Sequence, residues 1–149
     1  MEKDVIISIK GVQRYENAEE DTLELVTEGR LERDGSHYTL SYQESQLTGL
    51  EGTLTTFQIE PERVTLMRVG EYNSQMVFQE GRRHMSMYST PYGAMAIGVN
   101  TRHLLADLTD RGGEIEIDYA IEIDHSVAGR NTFQINVKEA EGTASLQIS

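Results

Sequence analysis

The sequence has no cysteine and no tryptophan, only two prolines, and no apolar run approaching the roughly 18 residues of a transmembrane helix. The absence of cysteine excludes disulfides, thiolate nucleophiles and zinc–thiolate sites. The N-terminal segment also lacks the apolar core of about 7–15 residues and the small-residue cleavage site of a secretory signal. Together these absences predict a cytoplasmic protein.

Basic residues are scarce as well, because 13 Lys and Arg stand against 25 Asp and Glu and the net charge is −12. A field of this sign repels phosphate backbones and anionic lipid surfaces, so we expect neither nucleic acid nor a membrane as partner. The length of 149 residues is typical of one domain, and the 13 glycines are scattered between segments instead of forming a linker. We therefore expect a single domain over residues 1–149.

The most regular segment is 114–124, EIEIDYAIEID, in which apolar and mostly acidic residues alternate without interruption. This period of two is typical of a β-strand with one buried face and one solvated face. A helix would distribute the isoleucines around its circumference. The acidic face is expected to lie in water, and Tyr119 is the one polar tip on the apolar face.

Similar segments, separated by turn residues, recur along the whole chain. Predicted strands cover 5–15, 22–33, 36–43, 53–59, 63–69, 75–79, 82–89, 94–99 and the region of 133–137, with 144–148 as a candidate last strand. Predicted turns lie at 17–21, 34–35, 61–62, 70–74, 80–81, 90–93 and 127–130.

The segment 100–110 is ambiguous. Leu104, Leu105 and Leu108 fit a helix capped by Thr101, whereas Leu104, Ala106 and Leu108 fit a strand. We favour a strand with a bulge near Thr101 to Arg102 that restores the phase, because residues 110–113 then become the hairpin loop into the 114–124 strand.

This pattern predicts an all-β protein of about 8–10 antiparallel strands with no convincing helix. Consecutive hairpins with few long crossovers favour an up-and-down β-barrel over a Greek-key sandwich. Closure into a barrel would also remove the two exposed edges that so long a meander otherwise leaves.

Several short motifs, none specific alone, occur in a characteristic order and spacing at 40–44, 48–53, 67–70, 76–78, 88–93 and 112–115. In this arrangement, over nearly the whole chain, the sequence resembles the YwiB-like family of small bacterial proteins. The resemblance implies a calycin-like β-barrel, similar in shape to lipocalins and fatty-acid-binding proteins. It also implies a family whose biochemical function is unassigned.

Residues with catalytic or metal-binding chemistry do not form a recognisable motif. The carboxylates of 114–124 share one solvated face, where none of them has the apolar surroundings that a general acid needs. The four histidines lack metal-site spacing, and a site built from His84 and His103 is the less favoured interpretation of them. We expect no catalytic residue, no metal, no cofactor and no enzymatic activity.

Arg68 is the most informative candidate for binding. It shares a strand face with Val64 and Leu66, so its guanidinium is expected to point inward, where it could hold the carboxylate of a small amphipathic or anionic ligand. Flexible methionines of the central strands, at 67, 76, 85, 87 and 95, suit an adaptable cavity. The predicted ligand-binding set is Arg68, Met76, Phe78, Arg82, Tyr88 and Tyr119.

The alternative is a barrel filled by its own side chains, with Arg68 at the rim beside one of the many carboxylates. Such a solid barrel would act as a protein–protein interaction or structural module. In either case we expect a monomer or a weak dimer. A cavity of about 300 Å³ or more would favour the ligand-binding interpretation.

Overall fold

The computed structural model describes residues 1–15, 20–46, 49–70, 73–90, 93–123 and 126–140, and within them it shows ten antiparallel strands. They are β1 Glu2–Tyr15, β2 Glu20–Asp34, β3 His37–Gln43, β4 Thr53–Ile59, β5 Val64–Gly70, β6 Ser74–Phe78, β7 Arg83–Thr90, β8 Gly93–Thr109, β9 Gly112–Ile123 and β10 Ser126–Glu139. None of these described residues forms a helix, so this part of the chain has no helix able to cross a membrane.

Each strand pairs with the next in sequence, and β1 pairs with β10 to close the barrel. The closing pair extends from Val5 opposite Glu139 to Tyr15 opposite Gly129, so it is as extensive as an ordinary hairpin. Closure satisfies the backbone groups that two free edges would leave unpaired. The predicted up-and-down barrel is therefore confirmed.

Strand β9 shows the expected division between its two faces. Ile115, Ile117 and Tyr119 are buried in the barrel, at 0%, 0% and 3% exposure. The acidic residues at the alternate positions of β9 project outward, where Asp118 accepts from Arg102 at 2.5 Å and Glu122 accepts from Arg83 at 2.6 Å. The acids of this strand thus belong to the outer surface.

The ambiguous segment is a strand, as favoured, and it carries the predicted bulge. The register between β8 and β9 shifts between Thr101 and His103, which leaves Arg102 as the extra residue. Thr101 is buried before the bulge, and Leu104 packs against the core after it. A bulge of one residue restores the inward phase of a strand whose apolar residues would otherwise face water.

Some predicted turns are wrong at their bounds. Residues 127–130 lie inside β10, because Ala128 is absorbed as a bulge between Val127 and Gly129 and the strand continues. Glu20 and Asp21 belong to β2 and not to a turn. Residues 17–19, 91–92 and 144–148, on which other predictions fall, lie outside the described residues.

The alternating connections define two ends of the barrel. We call the end where β1, β3, β5, β7 and β9 finish the cavity end, and the opposite end the packed end. The packed end holds the tightest part of the core. Its fully buried side chains include Val5, Ile7, Leu31, Leu40, Val64, Phe78 and Ile115.

Candidate ligand-binding cavity

A cavity of about 300 Å³ opens into the barrel at the cavity end. Gln13, Arg68 and Ile123, each close to the last residue of its strand, place it there. Most of its wall is aliphatic or aromatic, with Leu66 and Phe133 among the lining residues. This combination of an apolar wall with a few polar groups is typical of small-molecule sites.

Arg68 lines the cavity, as the strand pattern predicted, and its side chain is 17% exposed. Its Nε lies 3.8 Å from Oε2 of Glu44, which is beyond hydrogen-bonding distance. This buried Nε has no hydrogen-bond partner among the described residues. A guanidinium carries five N–H donors in a planar fork. At Arg68 this charged donor group faces the largely apolar space of the cavity.

Glu44 lies behind Arg68, with its side chain 1% exposed, and the sequence analysis missed it. Its Oε2 accepts a hydrogen bond from Oγ1 of Thr55. Burial, followed by the charge of Glu44, raises the pKa of Tyr42 well above its ordinary value. The Tyr42 hydroxyl therefore remains protonated and donates to the carboxylate.

A signal for Glu44 was present in the sequence. Leu40, Tyr42 and Glu44 continue the same inward period of two along and just beyond β3. The carboxylate follows an apolar residue and a tyrosine on one face, so inward projection was the direct expectation of that pattern. Its importance depends on Arg68 reaching the same place from β5.

Tyr119 supplies a hydroxyl to the cavity wall. Nδ2 of Asn131 donates to this hydroxyl at 3.1 Å, and both residues line the cavity. The Tyr119 ring packs on Phe78 with a centroid separation of 4.7 Å, and on Phe133 at 5.9 Å. Phe78 is fully buried; it packs against the Tyr119 ring but does not line the cavity.

The predicted set is only partly assembled. Arg68, Met76 and Tyr119 line the cavity. Arg82 is exposed in the connection between β6 and β7, at the packed end, and is outside the lining. Tyr88 lies in β7 opposite Ser74, but its side chain is outside the described part of the chain.

The central methionines divide between two environments. Met76 and Met95 line the cavity, whereas Met67, Met85 and Met87 project from the outer face. The suggestion that all five adapt to a ligand is therefore wrong for the last three. Alternation decides this, because each outward methionine is one residue out of phase with an inward neighbour.

Two further polar residues were missed, Gln13 and Asn131, which face each other in the pairing of β1 with β10. Gln13 is in phase with the buried Ile9, and Asn131 with the buried Ile135. Their phase indicated inward side chains, but their proximity depends on barrel closure, which joins the two ends of the described chain.

The histidines occupy separate environments. Nε2 of His84 lies 3.1 Å from Oε1 of Gln79. His103 is 53% exposed on the outer face, 3.4 Å from Glu80 and 3.6 Å from Glu116. In the described ranges no group of three His, Asp or Glu side chains is placed to hold a metal ion.

The profile of a protein family described as a domain of unknown function, DUF1934, matches residues 7–135. The chain belongs to the DUF1934 family. The crystal structure of the ywiB protein from Bacillus subtilis is similar to this DUF1934 chain, with a TM-score of 0.82, 20% identity and coverage of 93% of each chain. The similarity confirms the YwiB-like resemblance and the barrel. No curated protein matches the chain.

Proposed function

We propose that this DUF1934 protein is a non-enzymatic barrel that binds a small amphipathic molecule with a carboxylate or similar anionic group. The observation that carries the proposal is the half-enclosed cavity of about 300 Å³ into which Arg68 projects, its buried Nε without a hydrogen-bond partner among the described residues. Burying a charged donor is costly unless a partner satisfies it. Glu44 compensates the charge of Arg68 from 3.8 Å, and a bound anion would add hydrogen-bond acceptors where the guanidinium meets the cavity.

The geometry favours a ligand with one charged end. A carboxylate can accept two parallel hydrogen bonds from a guanidinium, and such charge-assisted bonds are stronger in an apolar environment. Arg68 and Tyr119 would hold the anionic end, while the apolar part would contact Phe133 and its aliphatic neighbours. At about 30 Å³ per water, the cavity has room for about ten water molecules, a volume that suits a small molecule.

The composition of the wall supports binding over catalysis. The described lining contains no carboxylate, imidazole, thiol or aliphatic hydroxyl, so it offers donors and apolar surface but no nucleophile or general base of the usual kinds. Glu44 is set behind Arg68, where its hydrogen bonds with Tyr42 and Thr55 occupy it. The alternative of a solid interaction module is less favoured because a cavity of about 300 Å³ opens at one end of the barrel. Location in the cytoplasm stays a prediction from composition.

Native mass spectrometry of the purified protein tests whether a small molecule is retained. Thermal-shift measurements with carboxylates of increasing chain length, each matched to its neutral alcohol, then test the chemistry. A ligand at about 100 times its dissociation constant should add about 2.7 kcal/mol to the free energy of unfolding. The carboxylates should raise the melting temperature more than the alcohols do.

Arg68→Ala should remove this stabilisation, whereas Arg82→Ala is the matched control, because it deletes the same charge from an exposed residue outside the cavity. The proposal is wrong if no molecule is retained, no carboxylate stabilises the wild type, and the two variants behave alike. Equal loss in both variants would indicate a general charge effect and would also contradict the specific role of Arg68.

A further inference from the structure

The polar groups of the cavity lie on two opposite walls of the barrel. Arg68 belongs to β5, whereas Gln13 and Asn131 are paired where β1 and β10 close the sheet. In the closed order of strands, β6 to β9 lie between β5 and β10 on one side, and β1 to β4 on the other. The cavity therefore has a cationic wall at Arg68 and, across the interior, a carboxamide wall at Gln13 and Asn131.

Between the two walls the lining is mainly apolar. Strands β6, β8 and β9 contribute aliphatic or thioether side chains there, namely Met76, Met95, Ile97, Ile121 and Ile123. Tyr119, also on β9, adds a hydroxyl that accepts a hydrogen bond from Nδ2 of Asn131 at 3.1 Å. The described lining thus passes from a guanidinium, across apolar side chains, to a pair of carboxamides. This order of groups is complementary to a ligand that is polar in two places.

Asn131 occupies a position that the strand pattern would give to an apolar side chain. The inward residues that follow it on β10 are Phe133, Ile135 and Val137, and Asn131 itself is only 8% exposed. A carboxamide has two N–H donors and an acceptor oxygen, and the bond to Tyr119 uses one donor. Burying the remaining polar groups costs free energy unless they are hydrogen-bonded. A ligand hydroxyl both donates and accepts, so it matches this amide in either orientation.

The charges around Gln13 favour a neutral group over a second anion. Gln13 lines the cavity and is paired with Asn131 on one side and with Asp21 on the other. Directly paired residues of antiparallel strands project from the same face, so the carboxylate of Asp21 lies on this side of the barrel. Apart from Arg68, the described lining has no charged residue. A second carboxylate at the carboxamide wall would therefore lack a cation and face an acid.

We propose that the ligand of this cavity is a hydroxy acid, with its carboxylate on Arg68 and its hydroxyl on Asn131. The inference rests on the function proposed above, because it names the class of carboxylate that the same cavity takes. Asn131 is then the residue that determines specificity. Against a wholly apolar wall, the hydroxyl would lose its hydrogen bonds to water without replacement, and a hydroxy acid would bind more weakly than the plain acid.

Calorimetric titration of the full chain with octanoate and its monohydroxy isomers, in which the hydroxyl moves one carbon at a time, tests the proposal. Octanoate has about ten non-hydrogen atoms, which suits a cavity with room for about ten water molecules. At least one isomer should bind the wild type about tenfold more tightly than octanoate does. In Asn131→Leu the same isomer should bind no more tightly than octanoate.

Two further variants separate direct contact from indirect effects. Asn136→Leu is the matched control, because Asn136 is exposed on the outer face of the same strand, and it should keep the preference. Tyr119→Phe removes the hydroxyl that Asn131 contacts. If Asn131 binds the ligand, this variant weakens all the acids alike and keeps the preference for the hydroxy acid. If Asn131 serves only to orient Tyr119, the preference disappears, which would overturn the proposal.

The outcomes distinguish this proposal from the function on which it rests. Binding of octanoate with no isomer preferred, or a preference that survives Asn131→Leu, would overturn the hydroxy-acid proposal and leave carboxylate binding intact. Absence of binding by octanoate and by every isomer would overturn both. Circular dichroism establishes that the variants are folded. Asn131→Ala, which removes the amide without adding apolar bulk, should give the same loss of preference as Asn131→Leu.

Discussion

The two ends of the barrel interior are built from the same strands but differ in chemistry. On β5 the inward side chains change from Val64 and Leu66, at 0% and 1% exposure, to Arg68 at the cavity end. Beside it, the inward face of β3 changes from Leu40 to Tyr42 and then reaches Glu44. The period of two is unchanged along each strand. One alternation therefore produces a hydrophobic core at the packed end and a polar site at the cavity end.

The comparison teaches where stability and binding are separated in this protein. Burial of apolar side chains at the packed end supplies the main favourable free energy of folding. At the cavity end, open space forfeits packing contacts, and the buried Nε of Arg68 has no hydrogen-bond partner among the described residues. Substitutions at the packed end should change stability, whereas those at the cavity end should change ligand binding.

The largest effect is expected from Phe78→Ala at the packed end. The ring is fully buried and packs against Tyr119, so its removal should lower the free energy of unfolding by about 3–5 kcal/mol. Met95→Ala is the comparison. Met95 lines the cavity and is 41% exposed, so this substitution should lower the free energy of unfolding by less than about 1 kcal/mol. Urea denaturation measures both. Similar losses in the two variants would break the division between the ends.

A pair of glycines tests the same division by adding one methyl group. A Cβ at Gly29 would overlap Ile7 and the carbonyl oxygen of Ser41, so Gly29→Ala should destabilise the fold by about 1–3 kcal/mol. At Gly11 the nearest atom to a new Cβ is in the Phe133 ring at 3.4 Å, beside the cavity, where the ring has room to move. Gly11→Ala should be nearly neutral in denaturation, and a larger loss there than at Gly29 would be contrary to expectation.

Glu44→Gln should separate stability from binding within the cavity end. The substitution removes the carboxylate charge near Arg68, which should cost about 1–2 kcal/mol of stability because the guanidinium loses its compensating charge. The same change should tighten binding of an anionic ligand by roughly tenfold, since a competing anion is gone. Calorimetric titration with the best carboxylate measures this. Weaker binding would show that Glu44 acts by orienting Arg68.

The smallest effect concerns pH and Tyr42. Burial raises the pKa of its hydroxyl in the folded state, so the unfolded chain releases this proton first as pH rises. The contribution of Tyr42 to stability is thus fully present below about pH 10 and is lost progressively above it. Between pH 9 and pH 11, the free energy of unfolding should fall by about 1 kcal/mol less in Tyr42→Phe than in the wild type. Melting temperatures measured over this pH range test the difference. Superimposable profiles would contradict the raised pKa.

Prediction from sequence succeeded where local pattern was sufficient. The alternation placed Arg68 and Tyr119 inside, and it required a bulge near Thr101 to keep Leu104 in phase. It failed at residues 127–130, where small residues resembled a turn but continue β10. Glycine and alanine signal both turns and close packing, and only pairing with a neighbouring strand distinguishes the two.

The sequence by itself determined most of the strands, their inward and outward faces and the barrel class, because side-chain direction in a strand depends on a local period of two. Only the tertiary structure decided which inward polar groups meet. Glu44 reaches Arg68 from another strand, Gln13 meets Asn131 through the closing pair of β1 and β10, and Arg82 lies at the opposite end. These placements depend on register and closure, which join residues distant in sequence and therefore leave no local pattern.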